Sequence, residues 1–445
     1  MTFGTRGPGA PSRRGVKTIA LGLALLVVAV MGAGMVACAD LLNIEDRTGI
    51  EGDSGSSTLS PDGSGSTAVG TDGGGGGVDA HLGAPDATIG DAMTAEAAPS
   101  TPAFACLPDG AATDPCMLAD GLDRPFKVVS DSSRVYWVEY GDRQGGNGSV
   151  RSCAVTGCSG QPLTYATGQM EPKGVATDEA NVYWTTTAAP PLDGGAPYAG
   201  GIWKCPVAGC QGAPTLVAPA IRPSDLLTDG AFLYWPDPSP TGPNSVSKSD
   251  LVTGAVTVLY DGGGGPDGGT DVPYDVSEVV VDSKNLYVED FATNVFRIPL
   301  TGGDPVMVAP VATPNSVPLG LGIDSTNVYL GQGDQILALN KAGNSISVIE
   351  DKITYPASLA VDQGESLIYW ADFGSGAATP DGKVGKVSTT GSGGSTLQSN
   401  LATPESITLA GNYAYWISAG TIVVSSNQAS ASVMPNTGAL WRTAR

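Results

Sequence analysis

The residues best suited to chemistry in this sequence are two pairs of closely spaced cysteines. Cys153 and Cys158 fall in RSCAVTGCSG, and Cys205 and Cys210 fall in WKCPVAGCQG, so that four residues separate the members of each pair. Thiols at this spacing can ligate a metal, act as a redox pair or form a structural disulfide. The pattern of the surrounding chain must decide among these three.

Histidine is nearly absent from the sequence, and this narrows the catalytic chemistry. The only histidine of the 445 residues, His81, lies in a Gly/Ser/Asp-rich segment that precedes the repeats described below. A domain without histidine cannot build a Ser–His–Asp triad, a Cys–His pair or an imidazole metal site. Carboxylates remain as acids, bases and metal ligands, and they leave a hydrolase or lactonase as the enzymatic alternative.

These cysteines and most of the aromatic residues fall inside a pattern that occurs seven times after residue 104. Each copy has a short β-rich run, in most copies an Asp, and then a tyrosine followed by an aromatic or aliphatic residue. Spacings of 40 to 53 residues between the tyrosines match the length of a four-stranded propeller blade. The marker tyrosines are Tyr136, Tyr183, Tyr234, Tyr287, Tyr329, Tyr369 and Tyr415.

A second marker follows each tyrosine and predicts a third strand, a tight turn and a fourth strand. The seventh copy is incomplete, because residues 438–445 match only a third strand. Residues 115–125, which precede the first copy, resemble a fourth strand. We therefore predict an all-β, seven-bladed β-propeller over residues 104–445, with six or eight blades as alternatives, whose N-terminal strand closes the last blade.

The tyrosine-centred copies resemble the YWTD repeats of low-density-lipoprotein-receptor-type propellers, and the chain is also similar to uncharacterised bacterial lipoproteins with propeller repeats. YWPD at 234–237 and YWAD at 369–372 keep the Asp of the motif, whereas YWTT at 183–186 does not. The resemblance implies a propeller and a binding role, and it transfers no catalytic residue.

The repeat alignment favours disulfides over metal or redox chemistry. In other copies, the hairpin positions of the cysteine pairs hold residues such as Ile298 and Gly303, which neither ligate metals nor react. Cysteines that face each other across a hairpin lie within bridging distance. We predict three disulfides, which are Cys106–Cys116, Cys153–Cys158 and Cys205–Cys210, and no metal site.

An Asp stands where the first and second strands of most copies meet. Asp in such a turn accepts hydrogen bonds from nearby backbone N–H groups, so we interpret these carboxylates as structural. They are Asp131, Asp178, Asp229, Asp282, Asp324 and Asp362.

The connections from strand four to strand one, and from strand two to strand three, should meet at one end of the ring and form a binding face. Several of the second kind are long and combine charged with aromatic residues, a mixture that suits a protein or glycan ligand. The candidate binding residues there are Glu139, Tyr140, Asp142, Arg143, Asp193, Tyr198, Asp372 and Phe373.

The N-terminus predicts export. Four basic residues precede an apolar run from Thr18 to Met35, as in a secretory signal over residues 1–37. The residues that follow end in Cys38 and resemble a bacterial lipobox, in which the cysteine is acylated; an uncleaved membrane anchor is the alternative. Ala39 after the cysteine favours the outer membrane over the inner one in lipoproteins of this kind.

Residues 38–103 are predicted to be a lipidated N-terminus and a disordered linker, because they contain few large apolar side chains. Two Asp/Gly-rich tracts, 71–79 and 261–269, resemble calcium-binding glycine repeats without keeping their nine-residue register. We predict no cofactor, with calcium as a weaker alternative.

The formal net charge of −22 opposes nucleic acid and anionic membrane surfaces as partners. The sequence thus predicts a monomeric cell-envelope lipoprotein whose propeller binds or scaffolds a protein or glycan. A carboxylate- or metal-dependent hydrolase and a purely structural envelope component are the alternatives.

Overall fold

The computed structural model shows the part of the chain that carries the repeats. The predicted signal peptide, Cys38, the linker and Cys106 lie outside the described residues. In the part of the chain that is described, no helix is long and apolar enough to cross a membrane. The described ranges are 115–141, 146–158, 161–188, 200–237, 245–261, 276–290, 294–310, 318–343, 345–375, 379–424, 431–433 and 436–445.

Seven antiparallel four-stranded sheets form the blades of a ring, which confirms the predicted seven-bladed propeller. The first strand of each blade contacts the neighbouring blade, and the last blade contacts the first. Blade 1 contains β2 (Pro125–Ser130), β3 (Arg134–Glu139), β4 (Gly148–Ala154) and β5 (Leu163–Gln169); blade 2 contains β6 (Val175–Thr177), β7 (Asn181–Thr186), β8 (Gly201–Pro206) and β9 (Thr215–Pro219). Blade 3 contains β10 (Leu227–Thr228), β11 (Phe232–Asp237), β12 (Ser245–Asp250) and β13 (Val256–Asp261); blade 4 contains β14 (Val276–Val281), β15 (Asn285–Asp290), β16 (Asn294–Pro299) and β17 (Val306–Pro310).

The remaining blades follow the same order along the chain, apart from the last. Blade 5 contains β18 (Pro318–Ile323), β19 (Asn327–Gln332), β20 (Gln335–Asn340) and β21 (Ile346–Glu350); blade 6 contains β22 (Pro356–Asp362), β23 (Leu367–Asp372), β24 (Gly382–Ser388) and β25 (Ser395–Leu401). Blade 7 contains β26 (Pro404–Ala410), β27 (Tyr413–Ser418), β30 (Gly438–Ala444) and β1 (Cys116–Leu122), with a small hairpin of β28 (Ile422–Val424) and β29 (Ala431–Val433) between β27 and β30.

Blade 7 is completed by the N-terminal strand, as the sequence predicted. β1 pairs antiparallel with β30, from Cys116 opposite Arg442 to Leu122 opposite Gly438. The last blade therefore joins the two ends of the repeat region, and the ring has no open end that would expose unpaired strands.

The second strands are apolar at consecutive positions because each is buried on both faces. In β3, Val135 and Trp137 pack with Ile417 and Leu440 of blade 7. Tyr136 and Val138, which point the other way, pack with Val175, Val182 and Trp184 of blade 2. Burying one such side chain stabilises the fold by about 1.5–3 kcal/mol, so the repeated tyrosine and the apolar residue after it hold each blade to both neighbours.

The Asp residues between the first and second strands lock their own turns, as predicted. Asp324 accepts hydrogen bonds from the backbone N–H groups of Thr326 and Asn327, both at 2.7 Å, and from the hydroxyl of Tyr329. In each of blades 1 to 5, the marker tyrosine lies five residues after the Asp, and its hydroxyl donates a hydrogen bond to the Asp carboxylate. The five-residue spacing of Asp and Tyr within the repeat thus places both side chains in one hydrogen-bonded turn.

These turns shift the pKa values of both partners. Burial alone would raise the pKa of Asp324, but the hydrogen bonds from Tyr329 and two backbone N–H groups outweigh it and lower the pKa. Burial, together with the bond to Asp324, raises the pKa of Tyr329 to about 12. The lowered pKa favours the ionised carboxylate of Asp324, which is the form that accepts the three hydrogen bonds of the turn.

The two cysteine hairpins are disulfides. The Cα atoms of Cys153 and Cys158 lie 4.6 Å apart, and those of Cys205 and Cys210 lie 5.4 Å apart. Each bridge joins the third strand of its blade to the turn that follows. Cys116 is also disulfide-bonded; its predicted partner, Cys106, lies outside the described residues.

Candidate functional site

The two ends of the ring differ. One end carries the Asp turns between the first and second strands. At the other end, which we call the loop end, second strands finish at Glu139, Asp237 and Asp372, and first strands begin at prolines such as Pro125. The predicted binding residues that the structure describes belong to the loop end.

Glu139 is buried at the end of β3, with 2% of its surface exposed. Its carboxylate accepts hydrogen bonds from the backbone N–H of Asp123 and from Nε1 of Trp137, both at 3.1 Å. Arg151 on β4 lies 3.2 Å away and forms an ion pair with it. Glu139 therefore holds the connection that enters blade 1.

Two other blades use the same position in the same way. Asp237, the Asp of YWPD, accepts backbone N–H groups of Ile221 and Arg222 at 2.6–3.1 Å. Asp372, the Asp of YWAD, is fully buried and accepts the backbone N–H groups of Thr354 and Tyr355 at 2.9 and 2.7 Å. A carboxylate at this point of the repeat anchors the connection from the preceding blade.

The aromatic residues that follow these carboxylates are also buried. Tyr140 packs against Phe126, with ring centroids 6.0 Å apart, and Nζ of Lys173 lies 5.9 Å from its ring centroid. Phe373 is 1% exposed. Four of the predicted binding residues, namely Glu139, Tyr140, Asp372 and Phe373, thus lie beneath the loop end and support it; whether they contribute to ligand binding stays a prediction.

The other four candidates, which are Asp142, Arg143, Asp193 and Tyr198, lie outside the described residues. The tract at 71–79 and residues 262–269 of the second Asp/Gly-rich tract also fall outside, so calcium binding stays a prediction as well.

A ring of residues at one position of the first strands was not predicted. The position lies two residues after a proline in every blade but the fourth, within or just before the first strand, and its Ser, Asp and Glu side chains bond the next blade. Oγ of Ser406 accepts the backbone N–H of Val128, and Oγ of Ser358 accepts that of Ile407, at 3.1 and 3.3 Å. The seven residues at this position are Lys127, Gly174, Asp225, Glu278, Gly320, Ser358 and Ser406.

The two glycines of this ring let the backbone of the next blade approach closely. A Cβ atom at Gly174 would lie 2.6 Å from the backbone nitrogen of Leu226 in blade 3. A Cβ atom at Gly320 would lie 2.9 Å from Cα of Ser358 in blade 6. The next blade's backbone occupies the space that a side chain would need.

Lys127 crosses the ring and joins three blades. Its Nζ lies 3.2 Å from Oδ1 of Asp225 and 2.9 Å from Oε1 of Glu278, on blades 3 and 4. The second oxygens of both carboxylates accept backbone N–H groups, Asp225 from Val279 at 3.2 Å and Glu278 from Leu321 at 2.6 Å. This charged triad links first strands that are up to 151 residues apart in sequence.

The triad has shifted pKa values. Burial would lower the pKa of Lys127, but the negative charges of Asp225 and Glu278 outweigh it and raise the pKa, so the lysine keeps its charge. Burial, and secondarily the charge of Glu278, raise the pKa of Asp225 against the opposing effect of Lys127.

Glu405 is another buried carboxyl near the start of a first strand. It is 8% exposed, and burial raises its pKa well above the ordinary value. It follows Pro404, at the position that Lys173 holds in blade 2. Among the described residues there is no group of three or more side chains suited to hold a metal ion.

Comparisons with known proteins add little to this geometry. No family model matches the sequence, and a search of curated proteins finds no relative. Among solved structures, the chain is similar to one in a crystal structure of the nidogen/laminin complex, with 17% identity and a TM-score of 0.41 over 60% of this chain and 95% of that one. It is also similar to TolB from Acinetobacter baumannii, with 12% identity and a TM-score of 0.38 over 58% of this chain and 62% of that one. Likenesses of this size do not bear on function.

Proposed function

We propose that this protein is an exported lipoprotein, anchored to the cell envelope through Cys38, whose propeller presents a binding or scaffolding face for a protein or glycan. The observation that carries the proposal is the anchoring of the loop end. Glu139, Asp237 and Asp372 each hold the connection that enters their blade by accepting hydrogen bonds from its backbone N–H groups. Connections fixed in this way form a preorganised surface, which reduces the ordering cost of binding a partner.

The remaining support comes from the sequence. The disulfides fit an oxidising compartment, and the apolar run that ends at Cys38 fits a lipidated N-terminus. The linker of residues 38–103 would let the propeller stand away from the membrane, with a reach of about 40–45 Å for a flexible coil.

The anchor and the binding face are tested separately. A radiolabelled fatty acid should label the wild-type chain and not the Cys38→Ser variant, which should appear in the soluble fraction; labelling of both would reject the anchor. For the face, envelope cross-linking should capture a partner that is lost when residues 142–145 are replaced by Gly-Gly and residues 189–199 by a short turn. The control is Val252→Ser, at a fully exposed turn of the opposite end. Capture that is unchanged in the shortened variant would reject the proposed face.

A further inference from the structure

Glu405 lies near the centre of the propeller, at its loop end. It follows Pro404 at the start of β26, and the next residue, Ser406, belongs to the ring of side chains that bond from one first strand to the next. First strands contact one another around the propeller, so they are its innermost strands. Glu405 is therefore one residue nearer to the loop end than that ring, on a strand that lines the centre.

The carboxyl group of Glu405 has no partner within the part of the chain that the structure describes. The residue is only 8% exposed, yet neither of its oxygens forms a hydrogen bond or an ion pair there. Neither oxygen is fully enclosed either, because both keep some surface that solvent reaches. A group from outside the fold can therefore contact this carboxyl.

The two blades that follow place partnered side chains at the same position. Phe126 of blade 1 packs against Tyr140, and Nζ of Lys173 in blade 2 lies over the same aromatic ring. In blade 7 the position of Tyr140, just after the second strand, is held by Ala419. Glu405 therefore lacks the aromatic side chain that its counterparts contact.

The negative charge of Glu405 is not offset by the described chain. Burial alone raises the pKa of its carboxyl well above the ordinary value, and no neighbouring cation opposes that effect. The buried carboxylates of Glu139 and Asp225 differ, because Arg151 and Lys127 form ion pairs with them. Buried polar groups in folded proteins are nearly always paired, so this carboxyl calls for a partner that the chain does not supply.

The partner that suits a buried carboxylate is a cation that also donates hydrogen bonds. A neutral hydroxyl would bond to the carboxylate and leave its charge uncompensated. A metal ion needs several ligands, and the described residues contain no group of three or more side chains suited to hold one. A lysine or arginine side chain supplies charge and donors together, and the formal net charge of −22 attracts a basic partner over longer distances.

We propose that the loop end binds a protein through a basic side chain of that protein, which enters at the centre of the propeller and pairs with Glu405. The inference rests on the proposed function, since it takes the loop end as the binding face. It narrows the partner from a protein or glycan to a protein with an accessible lysine or arginine.

The direct test is a titration of the full-length chain in detergent with two blocked pentapeptides, in which a central arginine or lysine is flanked by glycines. A third peptide contains citrulline, which keeps the shape of arginine without its charge. Binding is followed by saturation-transfer NMR at about 150 mM salt, where attraction between distant charges is largely screened. We expect the arginine or the lysine peptide to bind with a Kd of about 5 mM or tighter, and the citrulline peptide to bind at least about tenfold more weakly.

The variants test whether Glu405 is the residue that pairs. Glu405→Gln should weaken binding of the basic peptide at least about tenfold, whereas Glu365→Gln, which removes an exposed charge from the opposite end, should leave it unchanged. The proposal is overturned if neither basic peptide binds at about 50 mM. It is also overturned if Glu405→Gln binds the peptide as the wild type does.

The melting temperature distinguishes a binding role from a structural one. Because burial raises the folded-state pKa of Glu405, its ionised form destabilises the fold at pH 7, and Glu405→Gln should keep or raise the melting temperature. A variant that melts below the wild type would show that the carboxyl stabilises the fold through contacts of its own, and would also overturn the proposal.

Envelope cross-linking separates this inference from the proposed function. Glu405→Gln should capture less of the partner than the wild type does, while Glu365→Gln captures as much. Equal capture by Glu405→Gln would reject the pairing and leave the loop end as the binding face. If the chain with shortened connections captures the partner as the wild type does, the proposed face fails, and the peptide titration still decides whether Glu405 binds a basic side chain.

Discussion

At the scale of single residues, the charged groups of this propeller serve mainly to hold backbone in place. Asp324 binds two N–H groups of its own turn, Asp372 binds those of an incoming connection, and Glu278 binds one from the next blade. Sequence reasoning predicted the first of these roles because an Asp within a turn has local partners. It did not predict the other two, because their partners lie 17 to 43 residues away.

The Asp turns give a first prediction about stability. Asp324→Ala should lower the free energy of unfolding by about 1–3 kcal/mol at pH 7, because the turn loses a charged acceptor for three donors. The folded-state pKa of Asp324 is lowered, so its contribution is complete above the unfolded-state pKa and is lost as pH falls through the folded value. The difference from wild type, measured by urea denaturation, should therefore shrink towards pH 3. Asp334→Ala, an exposed Asp of the same blade, is the control; an equal loss in both would contradict this role.

The charged triad gives a second prediction. Lys127→Met should destabilise the fold by about 2–4 kcal/mol at pH 7, because Asp225 and Glu278 then face each other without a counter-charge. One of the two carboxyls should take up a proton in the variant, with a raised pKa. Stability of that origin is present at low pH and is lost as pH rises, so the deficit should be smaller at pH 5 than at pH 7. Thermal melting measures it, with the exposed Lys284→Met as control; a deficit that grows on acidification would argue against the triad.

At the scale of elements, the repeat explains why the same hairpin forms both with and without cysteines. The turn between the third and fourth strands is closed by a disulfide in blades 1 and 2, and by backbone hydrogen bonds in blade 4, where Gly302 N–H donates to Pro299. The sequence predicted this because the aligned positions in other copies carry no chemistry. The cysteines reinforce a turn that forms without them.

Removing one of these two disulfides should therefore lower the stability of the fold only slightly. The Cys205→Ser, Cys210→Ser double variant should keep the fold and lose about 2 kcal/mol or less, because the closed loop is short. Thiol titration of the folded wild type without reductant should find no reactive thiol at these hairpins. Detection of two or more free thiols, or complete unfolding of the double variant, would contradict the conclusion that these disulfides only reinforce the hairpins.

Other element-scale features could not be read in advance. Glu139 and Asp372 stand at the point where the apolar run of a second strand gives way to a Gly-rich segment, so the sequence suggested exposed loop residues. The strands β3 and β23 continue through them, and the incoming connections cover them. Burial of this kind depends on a segment from the preceding blade, which periodicity within one strand does not reveal.

At the scale of the whole molecule, closure unites the two ends of the repeat region. The seventh copy lacks a fourth strand, and residues 115–125 resemble a fourth strand that precedes the first copy. These two observations were enough to predict closure. The ring at the centre was not predicted, since Lys127, Gly174 and Ser406 share a position but no chemistry. Their common role appears only when the first strands are brought side by side.

Closure predicts that the N-terminal strand is required for stability. A chain that begins at residue 123 should melt well below one that begins at residue 104, because β30 keeps β27 but loses its outer partner β1, and Leu118 and Leu122 no longer fill the core between blades 7 and 1. Size-exclusion chromatography should also show aggregation through the exposed edge. Equal melting temperatures for the two chains would contradict closure by β1.

Site-specific photo-cross-linking in intact cells can test the claim that the loop end is the face that meets a partner. A photoreactive residue would replace the exposed Ala188 or Ile221 at the loop end, and the exposed Ser132 or Ser283 at the opposite end. We predict defined adducts from the first two positions and none from the last two. Adducts of equal yield at both ends, or adducts only at Ser132 and Ser283, would contradict the claim.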